Sequence, residues 1–274
     1  MKLISNIARV LLYLFISVFF LYPIVLVLLN SFKSKPEMWD NFFSIPNGIS
    51  FDMYVHTWKS MGFSQLFFNT GRYVIAVVVI VLIISSMTAY KLSRSKGNIR
   101  KLIYVLLFIQ LLVPFQTYII TMTQVAKPLG LLGNATGYVL LLAGLFVPTA
   151  TFMIYKYMGN IPIELEESAK TDGASTYSIY FRIILPLLTP ILVTVIVIDT
   201  IAIWNDFFVQ MMMVGPNKAY RGIQLALYAE FSQQTSDWER ALPGTVITLV
   251  PIFVFFLILQ KKIEEGFIAG AVKG

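Results

Sequence analysis

A chain of 274 residues in which 57% are hydrophobic and 13% charged holds more apolar side chain than a core of that length can enclose, so water is excluded as its main solvent. The lack of cysteine excludes a disulfide framework, a thiolate metal site and a cysteine nucleophile. The formal charge of +7 admits nucleic acid or anionic lipid as a partner, but in a membrane chain the placement of positive charge says more than its sum.

Uninterrupted apolar runs set the expected crossings, since a helix needs about 20 largely apolar residues to span a bilayer. The first is 10–32. Lys2 and Arg9 ahead of it resemble the start of a signal peptide, yet the run is long and Leu29-Asn30-Ser31 offers no small-x-small cleavage pattern, so an uncleaved helix is expected. A polar stretch over 32–70 carries Trp39, Tyr54 and Trp58, and is followed by runs at 73–90, 102–126 and 128–155. A fifth run, 183–198, stops at Asp199 and resumes over 200–205. After a second polar stretch, 209–242, with Tyr228 and Trp238, the sixth run is 241–260. The aromatics of the two polar stretches suit a membrane interface or a docking surface. Pro114, Pro148 and Pro251 each remove a backbone donor within a run, so kinks are expected there, as hinges or as plain packing bends.

Six crossings return both termini to one side. Lys2, Arg9, the cluster Lys91, Arg94, Lys96, Arg100 and Lys101, then Lys156, Lys170, Arg182, Lys261, Lys262 and Lys273 share that side, thirteen of the 21 basic residues. The other eight are spread mostly through longer loops. The positive-inside bias then places both termini in the cytoplasm.

Between the fourth and fifth crossings, residues 161–186 predict two short helices joined by a turn. Pro162 is placed as a first helical residue, and Glu164, Glu166 and Glu167 suit the positive end of a helix dipole. Asp172-Gly173 breaks the run, because glycine accepts the left-handed conformation that ends many helices, and Ser175 can cap the second helix. From the residues alone, this is equally an amphipathic connector.

The order Glu167-Ser168-Ala169, Asp172-Gly173-Ala174, then Tyr180 and Leu185-Pro186 resembles the Glu-Ala-Ala loop of type I ATP-binding-cassette importer permeases. It departs where Ser168 replaces an Ala and Tyr180 stands for a Phe; the length and fixed spacing make the match specific. The resemblance implies an all-α membrane protein of six transmembrane helices, whose cytoplasmic coupling helix sits in a cleft of a separate ATP-hydrolysing subunit. The carboxyl end, with Ala269, Gly270, Val272, Lys273 and Gly274, is similar to the tail of the maltose-type, multiple-sugar branch. That similarity implies a carbohydrate substrate and a tail contact with the ATPase dimer, where composition alone gives a flexible basic terminus. Ser31-Phe-Lys33, Val113-Pro-Phe-Gln-Thr117, Leu131-Leu-Gly-Asn134 and Trp204-Asn-Asp-Phe207 are further family-like landmarks, so the resemblance covers nearly the whole chain. The implied division is 1–68 for the first helix and an extracytoplasmic loop, 69–260 for the permease core and 261–274 for a cytoplasmic tail.

The chain has no phosphate-binding loop, no His-Glu-x-x-His and no Gly-x-Ser-x-Gly, and its single histidine, His56, falls in a loop expected outside. Neither catalysis nor a cofactor is expected of it. The implied partners are a second homologous permease, an ATPase dimer, an extracytoplasmic sugar-binding protein and membrane lipid, in a bacterial cell membrane, with no nucleic acid. Asp199 is a costly charge within a crossing and would face a watery path or a partner. With Trp204, Asn205 and Asp206 it makes a candidate translocation wall, since sugars are held by planar polar groups and aromatic faces. Alternatively Asp199 and Asp206 bond to neighbouring helices or to the partner permease, which in maltose-type relatives makes most sugar contacts. An ion-gradient-driven secondary transporter would bury several ionisable groups, and a membrane scaffold would not need a loop shaped for an ATPase.

Overall fold

The computed structural model describes the backbone of residues 2–232 and 237–271 and the side chains of residues 9–231 and 237–260. Every regular element among them is helical. In chain order these are α1 (Lys2–Asn30), α2 (Lys35–Asp40), α3 (Asp52–Met61), α4 (Phe63–Arg94), α5 (Asn98–Leu112), α6 (Ile119–Ala126), α7 (Ala135–Met158), α8 (Glu164–Thr171), α9 (Thr176–Leu187), α10 (Thr189–Trp204), α11 (Phe208–Met213), α12 (Ile223–Ser232) and α13 (Trp238–Ala271). Among the described residues, four are long and apolar enough to cross a bilayer: α1 over Arg9–Asn30, α4, α7, and α13 over Trp238–Gln260. The pair α9 and α10, bent by 70°, makes a fifth if the two form one broken crossing.

The expected third crossing, 102–126, is not one helix. α5 has 15 residues, about 22 Å at 1.5 Å per residue, short of a hydrocarbon core of roughly 30 Å. Pro114 is the cause: it has no amide to continue the ladder and its ring pushes the residue before it out of the helical region, leaving Val113 extended at φ −98°, ψ 118°. The expected kink is thus a full break, whereas Pro148 and Pro251 lie inside unbroken helices. Other boundaries also move. α4 begins ten residues ahead of the 73–90 run, and α7 begins at Ala135 rather than 128, where the Asn134 side chain accepts the Gly137 amide at 2.9 Å. Asp199 does not interrupt its helix; the break falls earlier, at Leu188, just before Pro190 withholds another amide.

The chain forms two compact units. The first holds 1–65 and 226–251. In it, no residue of the most apolar stretch of α1 is buried, as suits a helix solvated by lipid. Beyond α1, Lys33 is only 1% exposed: its ammonium donates to the carbonyls of Asn41 at 2.9 Å and Phe42 at 3.1 Å, at the C-terminal end of α2, where a cation is favoured. Arg240 pairs with Glu230 at 3.1 Å and Asp237 at 2.8 Å in the same unit.

The second unit, 66–225 and 252–274, contains the larger core. Val77 and Val81 of α4, Ile154 and Met158 of α7, and Ile179, Ile184, Leu188 and Val195 of α9 and α10 with their connection pack in it. Near its start α4 holds the loop 219–223. Asn69 donates to the Ala219 and Arg221 carbonyls (3.0 and 2.7 Å), the Tyr73 hydroxyl donates to the Tyr220 carbonyl (2.7 Å), and Thr70 accepts the Ile223 amide (3.0 Å). The Gly222 amide donates to the Gln210 side chain at 2.8 Å. A Cβ at Gly222 would stand 2.8 Å from both Gln210 and Thr70 side chains, so the close approach requires glycine.

Candidate functional site

α8 and α9 are the expected pair of short helices, built on the chain leaving α7. The Ile161 amide still bonds to the Met158 carbonyl at 3.1 Å, so Ile161 belongs to the turn closing α7, and the expectation that Pro162 opens the next helix is corrected. α8 starts at Glu164, its first turn closed by the Ile163 carbonyl, which accepts the Glu166 and Glu167 amides at 2.9 and 3.1 Å. It ends in a Schellman motif: the Ala174 amide reaches the Ala169 carbonyl at 2.9 Å, the Gly173 amide reaches the Lys170 carbonyl at 3.0 Å, and Gly173 sits at φ +82°. Ser175 then caps α9, accepting the Ser178 amide at 3.3 Å. The bend satisfies its own polar groups and forms a stiff lug. Further along α9, the turn Tyr180–Ile184 widens to π geometry directly before Pro186, which has no amide to give and whose ring crowds a tighter turn.

The residues of the recognised motif divide by exposure. Glu167, Ser168, Asp172, Gly173 and Pro186 are exposed; Ala169, Ala174 and Leu185 are half-buried against the core; Tyr180 is buried. The Tyr180 hydroxyl lies 2.7 Å from Ser86 Oγ on α4, so this side chain anchors the lug from within. Ile163, Leu165, Tyr177 and Phe181 add uncovered apolar surface, Tyr177 at 74% exposure. Acidic and apolar side chains exposed together on a rigid bend form a surface suited to docking.

Behind this face sits a cluster that sequence reasoning missed. Glu166 is 1% exposed, and its carboxylate accepts from Arg94 Nε at 2.6 Å and from the Tyr90 hydroxyl at 2.8 Å. Arg94 also donates through Nη2 to the Ile161 carbonyl at 3.1 Å. In the sequence Glu166 is one of three acids near a helix start, and nothing in their spacing tells which turns inward.

The candidate path residues do not act as a set. Asp206 is committed to the fold: it accepts from the Tyr138 hydroxyl at 3.0 Å and from the Val209 and Gln210 amides at 3.1 Å each, at the start of α11. Asn205 is exposed, donating to the Ile201 carbonyl at 2.8 Å and accepting from Gln224 at 3.3 Å. Trp204 packs its ring against Phe67 with centroids 5.9 Å apart. Asp199 is buried in α10, and its Oδ2 has no hydrogen-bond partner among the described residues. Of the four, Asp206 lines a cleft of about 430 Å³ opened by the break after α5, together with Gln110, Phe115, Gln116, Tyr118 and Thr149. Besides Asp206 and Pro114, which the sequence already singles out, the glutamines stand out as polar residues within an apolar run. In the tail, Ala269 and Gly270 fall in the backbone of α13 with side chains not described, and Val272, Lys273 and Gly274 lie outside the described residues.

A family model described as the binding-protein-dependent transport system inner membrane component matches residues 82–265. The chain is 34% identical to the probable starch degradation products transport system permease protein AmyC of Thermoanaerobacterium thermosulfurigenes, over 94% of this chain and 93% of that protein. It is 28% identical to the multiple sugar-binding transport system permease protein MsmG of Streptococcus mutans, over 92% of each. It is 26% identical to the arabinooligosaccharides transport system permease protein AraQ of Halalkalibacterium halodurans, over 95% and 94%. Among solved structures, a chain of a bacterial ABC transporter involved in import of the acidic polysaccharide alginate superposes with a TM-score of 0.81 at 22% identity, covering 95% of this chain and 96% of that one.

Proposed function

Because the chain belongs to the family of binding-protein-dependent transport system inner membrane components, we propose that it is the permease subunit of an ATP-driven carbohydrate importer, coupled to a separate ATPase through the lug at 161–186. The observation that carries the coupling role is the lug itself: a locally closed bend that exposes Glu167, Ser168 and Asp172 beside bare Leu165 and Tyr177 while Glu166 and Tyr180 hold it from behind. Carbohydrate is supported by the names of three relatives, which concern starch products, multiple sugars and arabinooligosaccharides. The cleft at the α5 break is consistent with it. Its carboxamides, hydroxyls and aromatic rings, with the Asp206 carboxylate as an acceptor, match a neutral polyhydroxylated chain, and among the described residues no lysine or arginine lines it.

In this reading a second permease completes the path, an extracytoplasmic binding protein delivers the sugar, and both termini face the cytoplasm of a bacterial cell. α5 and α6 together make a broken third crossing, giving six with the bent α9–α10 pair. Residues 1–68, 69–260 and 261–274 serve as first helix with outer loop, core and ATPase-contacting tail; Ala269, Gly270, Val272, Lys273 and Gly274 make that last contact. The ion-gradient alternative finds no support among the relatives.

The native chain has no cysteine, which makes single replacements clean probes. With the ATPase subunit also carrying a single cysteine, a thiol cross-linker should join Ser168→Cys to it in native membranes and stop oligosaccharide uptake. Labelling of that cysteine by an impermeant reagent added outside intact cells would defeat the proposal.

A further inference from the structure

We propose that Arg94, Tyr90 and Glu166 form the joint that makes the lug and α4 move as one body, so that the three are positioning residues for coupling. This rests on the reading of the lug as the ATPase contact and adds to it the element that receives the force.

Ser86, Tyr90 and Arg94 stand four residues apart and form one stripe along the last turns of α4. The stripe meets both arms of the lug. Tyr90 and Arg94 hold Glu166 of α8, Ser86 meets the Tyr180 hydroxyl of α9, and the Tyr90 and Tyr180 rings bridge the two contacts with centroids 5.4 Å apart. Arg94 takes a further hold on the Ile161 carbonyl, where α7 passes into the lug. The Schellman turn fixes the lug internally, but each of its connections to the membrane helices is a place to pivot. One is the turn at 159–163; the other is the 70° bend at Leu188. Without a lateral tie, a push on the exposed face would rotate the lug about those points and leave the membrane helices behind.

A buried ion pair is a poor device for stability alone, because well-packed apolar residues of equal volume often serve as well or better. What Arg94 supplies is direction: its planar fork bonds Glu166 and the Ile161 carbonyl at once, and the Tyr90 hydroxyl fixes the second carboxylate oxygen. Glu166 therefore has no oxygen left to turn toward a partner. The acidic residues available for docking are its neighbours Glu164 and Glu167, both exposed.

The test uses the whole importer, purified through a tag on this chain and reconstituted in liposomes, with ATP hydrolysed per sugar imported as the readout and the Ser168→Cys cross-link to the ATPase as a control for docking. Glu166→Gln and Arg94→Gln should raise the ATP spent per sugar by about threefold to tenfold while the cross-link persists. Tyr90→Phe, which removes one oxygen and keeps the ring, should raise it less. The double variant Arg94→Gln with Glu166→Gln should raise the ratio no further than the larger of the single effects, because either change alone already undoes the tie, whereas independent losses of packing would add. An unchanged ratio in both Glu166→Gln and Tyr90→Phe, with the cross-link intact, overturns the joint; should Glu166→Gln fail to reach the membrane, Tyr90→Phe decides alone. Absence of the cross-link in the otherwise native chain would instead overturn the docking role of the lug.

Discussion

Gly173 has no atom within 4 Å of where a Cβ would stand, so its backbone, at φ +82°, is what excludes other residues. Gly173→Val should cost about 1–2 kcal/mol locally and abolish oligosaccharide uptake while the subunit still accumulates in the membrane. Gly173→Asn, whose side chain tolerates that region, should keep most uptake; equal loss in both variants would show that size matters more than conformation. The half-buried Asp206 and the buried Asp199 should part ways as well. Asp206→Ala strands the Tyr138 hydroxyl and two amides, and should lower the thermal midpoint in detergent by an amount equivalent to roughly 1–3 kcal/mol. Asp199→Leu removes an oxygen that has no partner among the described residues, and should leave the midpoint unchanged or raised. Local features such as the Gly173 turn and the Ser175 cap were legible in the sequence because their partners lie within five residues. Glu166 was not, since its partner Arg94 is 72 positions away and only the fold brings them together.

At the scale of elements, apolar length was a sound guide to where helices lie and a weak one to where they end. The run 102–126 reads as one crossing because hydropathy does not register a missing amide, whereas the backbone breaks at Val113. Asp199 reads as an interruption because a charge is costly in lipid, yet burial within the protein lets α10 pass straight through it. The break also makes the cleft, so Pro114→Leu, which restores the donor and frees Val113 to be helical, should extend α5 toward Phe115 and Gln116 and occlude that wall. Uptake should fall with membrane abundance unchanged, and thiol labelling of a Gln116→Cys probe should slow. Labelling at the native rate would place the origin of the break elsewhere.

For the molecule as a whole, composition points to lipid as the solvent and charge asymmetry gives the expected sidedness, but neither counts crossings where helices break, as they do after α5 and at Leu188. The sidedness is open to a direct check, since Asn47 and Ser175 are both exposed. Asn47→Cys should react with an impermeant thiol reagent in intact cells, and Ser175→Cys only after the membrane is opened; the reverse pattern would turn the chain over. A further consequence comes from the grip of α4 on 219–223. Asn69, Thr70 and Tyr73, with Gln210, grip main-chain carbonyls and amides of that segment, while the Tyr220 ring packs against the core beneath the Arg72 guanidinium and Gly222 is confined by its neighbours. Of residues 219–221 only Ala219 is exposed, so a change of side chain there should leave the course of the main chain unaltered, whereas Tyr220 is part of what fixes it.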